Sequence, residues 1–524
     1  MIRMPQGTKK TRNKNRPNTL YSYDIFDTLI ARKCIHPHNI FLEIEKKYNI
    51  FRFSKVRILA DQRAWQKTQG NFSIDDIYIE LANITGLPRD IANQIKAEEI
   101  RLEKENIIPI QKNIDHLKEG SILITDMYFD EQIIRDFLLQ ANIKQPAIIL
   151  QTNGGKSTGL LWEEIKELGT TCIHQGDNPT SDVKNAVRQG MTAFHCQLSQ
   201  PTFFERLLLK TNCINAAREL RQGRLATHHS FQNKSRESLI TQLQDNINVP
   251  TLLYFAAKII QQTKQHSRPG QKVLFSSRGS NLLYHAFTNL SERHHTKKME
   301  SSYWLSSRDA RFHGDNDYLD YTKQLATDDA LFIDLNGSGF SLRYFLNRIS
   351  HHNPRASYQA MLCYGYLNSE EYINHAYKRS DQNAISGGIE SILHFNHFPL
   401  DILHLESLNF SPEGLLLDMK SCRGGYLPIR DAYEYCDELL IAVEDQASYT
   451  KQVLDWMRNL STEAFNELTT SSFLKCVEIS WKFHKRRLEE FFDAFKRDHA
   501  LHEASHIKRF ASKTISEQFV NNRC

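Results

Sequence analysis

Between residues 121 and 196 the chain alternates short apolar runs with amphipathic stretches, and few folds accept that pattern. "SILI", "AIIL", "TCIHQG" and "TAFHC" read as strands. "DEQIIRDFLLQANI", "GLLWEEIKELG" and "SDVKNAVRQGM" lie between them, with apolar residues at the three- and four-residue spacing of a helix. Strands separated by helices pair in parallel, and the helices cover both faces of the sheet. The run at 20–30, around "YSYDIFDTLI", supplies a further, first strand. Residues 38–115 between it and "SILI" have helical spacing throughout, as in "SIDDIYIELANITGL", and read as an insertion after that strand.

A second alternating region begins near 250. "KVLFSS", "SSYWLSS", "ALFIDLNGSG" and "SYQAMLCYGYL" read as strands, with helices such as "SNLLYHAFTNL" and "FSLRYFLNRI" among them. At 524 residues the chain exceeds what one core serves. The expected architecture is α/β. It has a basic tail at 1–18 and a doubly wound parallel sheet at 19–200 with a helical cap at about 33–115. A helical linker at 201–246 leads to a second α/β domain at 247–425 and a helical C-terminal region at 426–524.

The chain is 40% hydrophobic and 24% charged, ordinary for a globular protein. No apolar run approaches the length of a spanning helix, and the first residues lack the apolar core of a signal peptide. The nine cysteines show no metal-ligand spacing and read as reduced thiols, so a cytoplasmic location is expected. The net charge of +5 suits a phosphate-bearing substrate or an anionic surface, and equally a solvated exterior. Lys9, Lys10, Arg12, Lys14 and Arg16 make the first residues basic. Amphipathic stretches within 475–524 carry basic and aromatic residues. Both regions suit a peripheral contact with the inner face of a membrane, or plain solvation and helix packing. No nucleic-acid motif is present, and the basic residues are interleaved with acids, so no nucleic-acid partner is expected.

Ligands of such sheets bind beyond the carboxyl ends of the strands. Four successive strand ends here carry polar groups: Asp24 and Asp27, then Thr125 and Asp126, then Lys156 in "GGKSTG", then Asp177 and Asp182 in "GDNPTSD". Each alone has a plain reading as a helix cap or a surface charge. Together they supply a carboxylate nucleophile, a hydroxyl, a lysine and paired acids, which is what phosphoryl transfer through an aspartyl-phosphate with Mg²⁺ requires.

This ordered set resembles the haloacid dehalogenase (HAD) superfamily over about residues 20–198. The resemblance assigns Asp24 as nucleophile, Thr125 and Lys156 as phosphate-orienting residues, and Asp24, Asp177 and Asp182 as ligands of Mg²⁺. The helical block then corresponds to a cap. Phosphatases of that superfamily carry a second Asp two places after the nucleophile, to protonate the leaving group. Here that place holds Phe26, and Asp27 follows it. Either Asp27 or another group supplies the proton, or the phosphatase is slow, or the domain has another role. Dehalogenases of the superfamily also lack the second Asp, but they need no metal, and the Asp177/Asp182 pair favours one.

In the second half, "KVLFSSRGSNLL" and "ALFIDLNGSGFSLRYFL" each run from a strand through a small, Gly/Ser-rich loop into a helix. Exposed backbone N–H groups and the helix dipole make such turns anion sites, although a tight strand-to-helix turn needs no ligand to explain it. The order resembles type I phosphoribosyltransferases. The resemblance places Ser277, Arg278 and Gly279 on a pyrophosphate loop, and Asp334, Gly337, Ser338, Gly339 and Ser341 on a loop for ribose and 5-phosphate. The second loop has Asp-Leu and Ser-Gly where that family has adjacent acids and Thr-Gly. Arg308, Asp309 and Arg311 in "YWLSSRDARF" either line the same crevice or are surface charges on a corner.

The two halves together resemble bacterial polysaccharide enzymes that form ribofuranosyl linkages. That resemblance implies transfer of 5-phosphoribosyl from phosphoribosyl pyrophosphate (PRPP) to a glycan acceptor, followed by removal of the 5-phosphate. A lipid-linked acceptor and neighbouring glycosyltransferases are the implied partners. Two alternatives stay open: a phosphatase of a free sugar phosphate or nucleotide with a non-catalytic C-terminal half, and a glycan-assembly scaffold.

Overall fold

The computed structural model describes residues 19–144, 148–150, 154–168, 171–266, 271–294, 299–365, 389–394, 402–411, 413, 415–431 and 437–493. The basic tail at 1–18 and the end of the C-terminal region, 494–524, lie outside the described residues. The chain forms two compact units. The first runs to Pro201 and includes Arg224–His228; the second comprises Thr202–Gly223 and the chain from His229 onward.

In the first unit β1 (Thr19–Asp24) is the middle strand of a parallel five-stranded sheet. β2 (Ile30–Arg32) and β3 (Ile107–Pro109) follow outside it, then β4 (Ile122–Thr125), β5 (Ile148–Leu150), β6 (Thr171–Gly176) and β7 (Thr192–His195). The order is β5-β4-β1-β6-β7. The chain builds outward from β1 to one edge, then returns to its other side, so the carboxyl ends of β1, β4 and β6 surround the switch point where such sheets bind ligands. Side chains alternate between the faces. Leu123 enters one apolar cluster with Tyr23, while Ile122 and Ile124 join Leu20, Leu161 and Trp162 in another.

The insertion after β1 consists of helices His38–Tyr48, Phe53–Thr68, Ile74–Thr85 and Arg89–Asn106. Its ends are drawn together by β2 and β3, which pair antiparallel, Ala31 opposite Ile108. Ser73 and Asp76 form a reciprocal capping box at the start of the third helix, satisfying N–H groups that have no partner in the helix. Inside the insertion Arg57 binds Glu99 through two hydrogen bonds, 2.7 and 2.9 Å, with both side chains fully buried. Tyr78 Oη donates to the same carboxylate at 2.7 Å. Arg32, on β2, makes a like pair with Glu103 at 2.7 Å.

The second unit holds another parallel sheet: β8 (Lys272–Ser276), β9 (Glu300–Trp304), β10 (Leu331–Gly337), β11 (Gln359–Gly365) and β12 (Glu390–His394), in the order β12-β11-β10-β8-β9. The fifth strand, β12, had no counterpart in the sequence reading. Ile333 and Leu335 face one cluster and Phe332 the other. Of residues 201–246, expected as a linker, 202–223 and 229–246 belong to this unit and pack into its core: Phe204, Leu208, Ala217 and Ile240 share a cluster with Val273 and Phe275. The expected helical region at 426 is also corrected. β13 (Leu416–Cys422) and β14 (Gly425–Arg430) form an antiparallel hairpin, and helix begins at Asp437. The helices from there to Asp493 join the same core through Leu454, Phe473 and Trp481. No helix among the described residues is long and apolar enough to cross a membrane.

Candidate active sites

Asp24 ends β1 on the sheet's central axis and is buried. Lys156 reaches it from the short helix Gly155–Thr158, its Nζ 2.5 Å from Asp24 Oδ1 and 2.9 Å from Asp182 Oδ1. Asp182 lies on the helical turn after β6, where its Oδ2 accepts the Asn178 N–H at 3.0 Å. Gly176, the last residue of β6, lets that turn close. A Cβ there would stand 2.4 Å from Asp182 Cβ. One carboxylate oxygen from each of Asp24, Asp177 and Asp182 lies within 4.8 Å of the other two.

Thr28 Oγ1 donates to Asp24 Oδ2 at 3.4 Å, and Thr125 Oγ1 accepts the Met127 N–H at 3.2 Å. Asp126, next to Thr125, has a buried Oδ1 with no hydrogen-bond partner. Three of these acids are displaced upward. Burial raises Asp24, with Asp182 adding to the shift and Lys156 opposing it. Burial pushes Asp126 and Asp177 each up to about 6. Asp182 is held low: burial raises it, and the imidazole of His174 together with the Lys156 ammonium outweighs that.

Three clustered acids and a fourth with one unpaired oxygen, facing one lysine, carry excess negative charge on hard oxygen donors. That chemistry fits a divalent cation that prefers oxygen ligands. Asp24, Asp177 and Asp182 are the residues that would hold it.

Phe26 turns away from these acids. It is buried in the apolar cluster, edge-on to Phe137 at 6.2 Å, with the Arg32 guanidinium 4.7 Å over its ring. Asp27 sits at φ 59°, a left-handed turn closed by its N–H on the Ile30 carbonyl. Its charge contributes to the raised affinity of Asp177 for a proton.

The sequence reading did not single out His174. Its Nδ1 meets Ser22 Oγ at 3.0 Å and its Nε2 lies 3.8 Å from Asp182 Oδ1. Burial lowers its proton affinity, and the neighbouring Asp182 carboxylate opposes that shift. The available signal was a pair of polar residues, Ser22 and His174, at facing positions of two buried strands.

In the second unit the hub is Arg311. It is buried and donates to Ser306 Oγ at 2.8 Å, Asp334 Oδ2 at 2.9 Å, Ser341 Oγ at 3.1 Å and Ser276 Oγ at 2.6 Å. It thus ties the end of β8 and the middle of β10 to the helix Phe340–His352. Arg308, three places earlier, is exposed. Ser277 is turned inward, donating to the Ser306 carbonyl at 2.7 Å and accepting the Ser306 N–H at 2.8 Å. Arg278 lies 5.6 Å over the Phe410 ring, and a Cβ on Gly279 would meet Leu335. Gly337 and Gly339 hold φ of 147° and 74°, left-handed values that glycine adopts without strain. Ser338 Oγ accepts the Phe340 N–H at 3.3 Å where the helix begins. Asp334 is raised by burial, against the opposing charge of Arg311. The structure therefore brings Asp334, Ser341 and Arg311 together and leaves Arg308 outside.

No protein-family model matches this chain, and no curated protein matches it.

Proposed function

We propose that this chain is a bifunctional enzyme of surface-glycan synthesis. Its second unit transfers 5-phosphoribosyl from PRPP to a glycan acceptor, and its first unit, a HAD-type phosphatase, removes the 5-phosphate to leave ribofuranose. The observation that carries this reading is the convergence of Asp24, Lys156, Asp177 and Asp182 from separate strand ends on one buried point.

In the phosphatase step Asp24 attacks phosphorus, and the bond from phosphorus to the ribose 5-oxygen breaks. The departing oxygen takes the electron pair and a proton. Water then hydrolyses the aspartyl-phosphate, releasing inorganic phosphate and restoring Asp24. Lys156 neutralises the phosphate oxygens, and Thr125 orients them. Bound Mg²⁺ would supply further charge neutralisation. With Phe26 buried among apolar side chains, the proton for the leaving oxygen comes from Asp27 or from water.

In the transferase step the loop Ser277–Gly279 holds the pyrophosphate, Arg278 supplying charge. The backbone from Gly337 to Ser341, at a helix N-terminus, holds the 5-phosphate, and Asp334 holds ribose hydroxyls. An acceptor linked to lipid places the enzyme at the inner face of the membrane, beside other glycosyltransferases. The 5-phosphate gives the transferase a handle and is discarded afterwards; one chain carrying both sites raises the effective concentration of the intermediate.

A second reading, a lone phosphatase with a non-catalytic C-terminal half, is favoured by one observation: Asp334 and Ser341 are both already bound to Arg311. Calorimetric titration of PRPP in Mg²⁺ separates the two. Mg²⁺-dependent binding that weakens in Asp334→Asn supports the transferase; no binding to the wild type removes it.

A further inference from the structure

The helix Phe53–Thr68 of the insertion buries Phe53, Ser54, Arg57, Ala60 and Ala64 on one side. At 100° per residue, the outward arc carries Lys55, Ile58, Leu59, Gln62, Arg63 and Trp65, and Phe51 in the turn before the helix precedes them. Phe51 is 80% exposed and Trp65 54%, unusual values for large aromatics. The only acid in this helix is Asp61, and its carboxylate is turned to the buried Arg57 at 3.5 Å. Glu45, on the helix before, accepts the backbone N–H groups of Arg52 and Ser54. Arg52, Lys55 and Arg63 have no acidic partner among the described residues.

The face is therefore cationic and apolar at once, with aromatics near both ends and no outward carboxylate. Exposed aromatic rings that prefer the zone between water and hydrocarbon, flanked by Lys and Arg, suit a peripheral contact with a lipid headgroup layer. An acidic protein would satisfy the charges but would have to cover Phe51 and Trp65 separately. We infer that this face of the insertion docks on an anionic lipid surface, with Phe51 and Trp65 entering the headgroup layer and Arg52, Lys55 and Arg63 meeting its phosphates. The inference stands on this face alone and does not require either catalytic site.

The test is co-sedimentation of the full chain with vesicles of phosphatidylcholine, with and without phosphatidylserine. The wild type should bind the mixed vesicles and be released by salt. Phe51→Ser/Trp65→Ser and Lys55→Glu/Arg63→Glu should each bind about tenfold more weakly or worse. All four side chains are exposed, so the variants should melt with the wild type. A wild type that does not bind mixed vesicles overturns the inference. So do variants that bind as the wild type does, which would move the contact to another segment such as the basic tail. Capture by soluble polyglutamate without vesicle binding also overturns it, in favour of an acidic protein.

Discussion

Lys156 Nζ lies 2.5 Å from Asp24 Oδ1 and 2.9 Å from Asp182 Oδ1, so one buried ammonium bridges acids that are 158 residues apart in the chain. Neither carboxylate would be stable in that position without a cation. The arrangement makes the site sensitive to displacements that leave the fold intact, and this sets the first prediction.

Gly176→Ala places a Cβ against Asp182, which must move, because the contact would be 2.4 Å and on the acid's own Cβ. We expect a folded protein whose Mg²⁺-dependent phosphatase rate falls about 10²-fold, the cost of misplacing a positioned group by an ångström. Steady-state kinetics with a circular-dichroism control checks it. Wild-type activity in this variant would mean that Asp182 has no role in the reaction.

The acids predict how stability follows pH. Asp126 and Asp177 are raised from 3.8 to about 6, and Asp24 is raised too. The folded state then binds protons more tightly than the unfolded state, so without metal their contribution is fully present below the ordinary carboxylate range and is lost as pH rises through about 6 for Asp126 and Asp177 and about 8 for Asp24. Asp182, which is lowered, acts in the opposite sense and only below that range. A bound divalent cation reverses the penalty on the charged acids. The gain in Tm on adding Mg²⁺ in place of EDTA should therefore be larger at neutral pH than at about pH 4, and Asp177→Asn should reduce it.

Arg311 and Arg308 sit on one helical turn and should behave oppositely. Removing Arg311 leaves Asp334, Ser276 and Ser306 without their shared donor in a buried place. Arg311→Ala should cost about 3–5 kcal/mol and abolish PRPP binding. Arg308→Ala, on the surface, should change stability by less than about 0.5 kcal/mol. Chemical denaturation of both variants tests the assignment.

The Arg57–Glu99 pair predicts a similar asymmetry within the insertion. Glu99→Gln leaves a buried guanidinium short of a counter-charge and should destabilise by about 3 kcal/mol. Replacing both residues by Met and Leu together with Tyr78→Phe, which removes the hydroxyl that donates to Glu99, should recover much of that loss, since apolar side chains of similar volume avoid the desolvation penalty. A double-mutant cycle measures the coupling.

How far the sequence could be read follows from these residues. Polar groups at the ends of otherwise apolar strands are visible because a chain rarely places acids there without a use. That is why Asp24, Lys156, Asp177 and Asp182 stand out in the sequence. Which of Arg308 and Arg311 points inward was not visible, because both fit one short helix and only packing against Trp304 and Asp334 separates them. His174 was hidden for a related reason: a polar residue inside a strand has a partner that only the pairing register reveals. The hairpin at 416–430 escaped because its strands are exposed on much of their length and their apolar residues are broken up by Asp418, Lys420 and Pro428.

The most direct test of the account is phosphate release from a 5-phosphoribosyl ester in Mg²⁺, measured for the wild type and for Asp24→Asn. With Asp24 as nucleophile, the wild type releases phosphate, chelation of the metal abolishes the release, and Asp24→Asn shows none above background. Release by Asp24→Asn at the wild-type rate would contradict it.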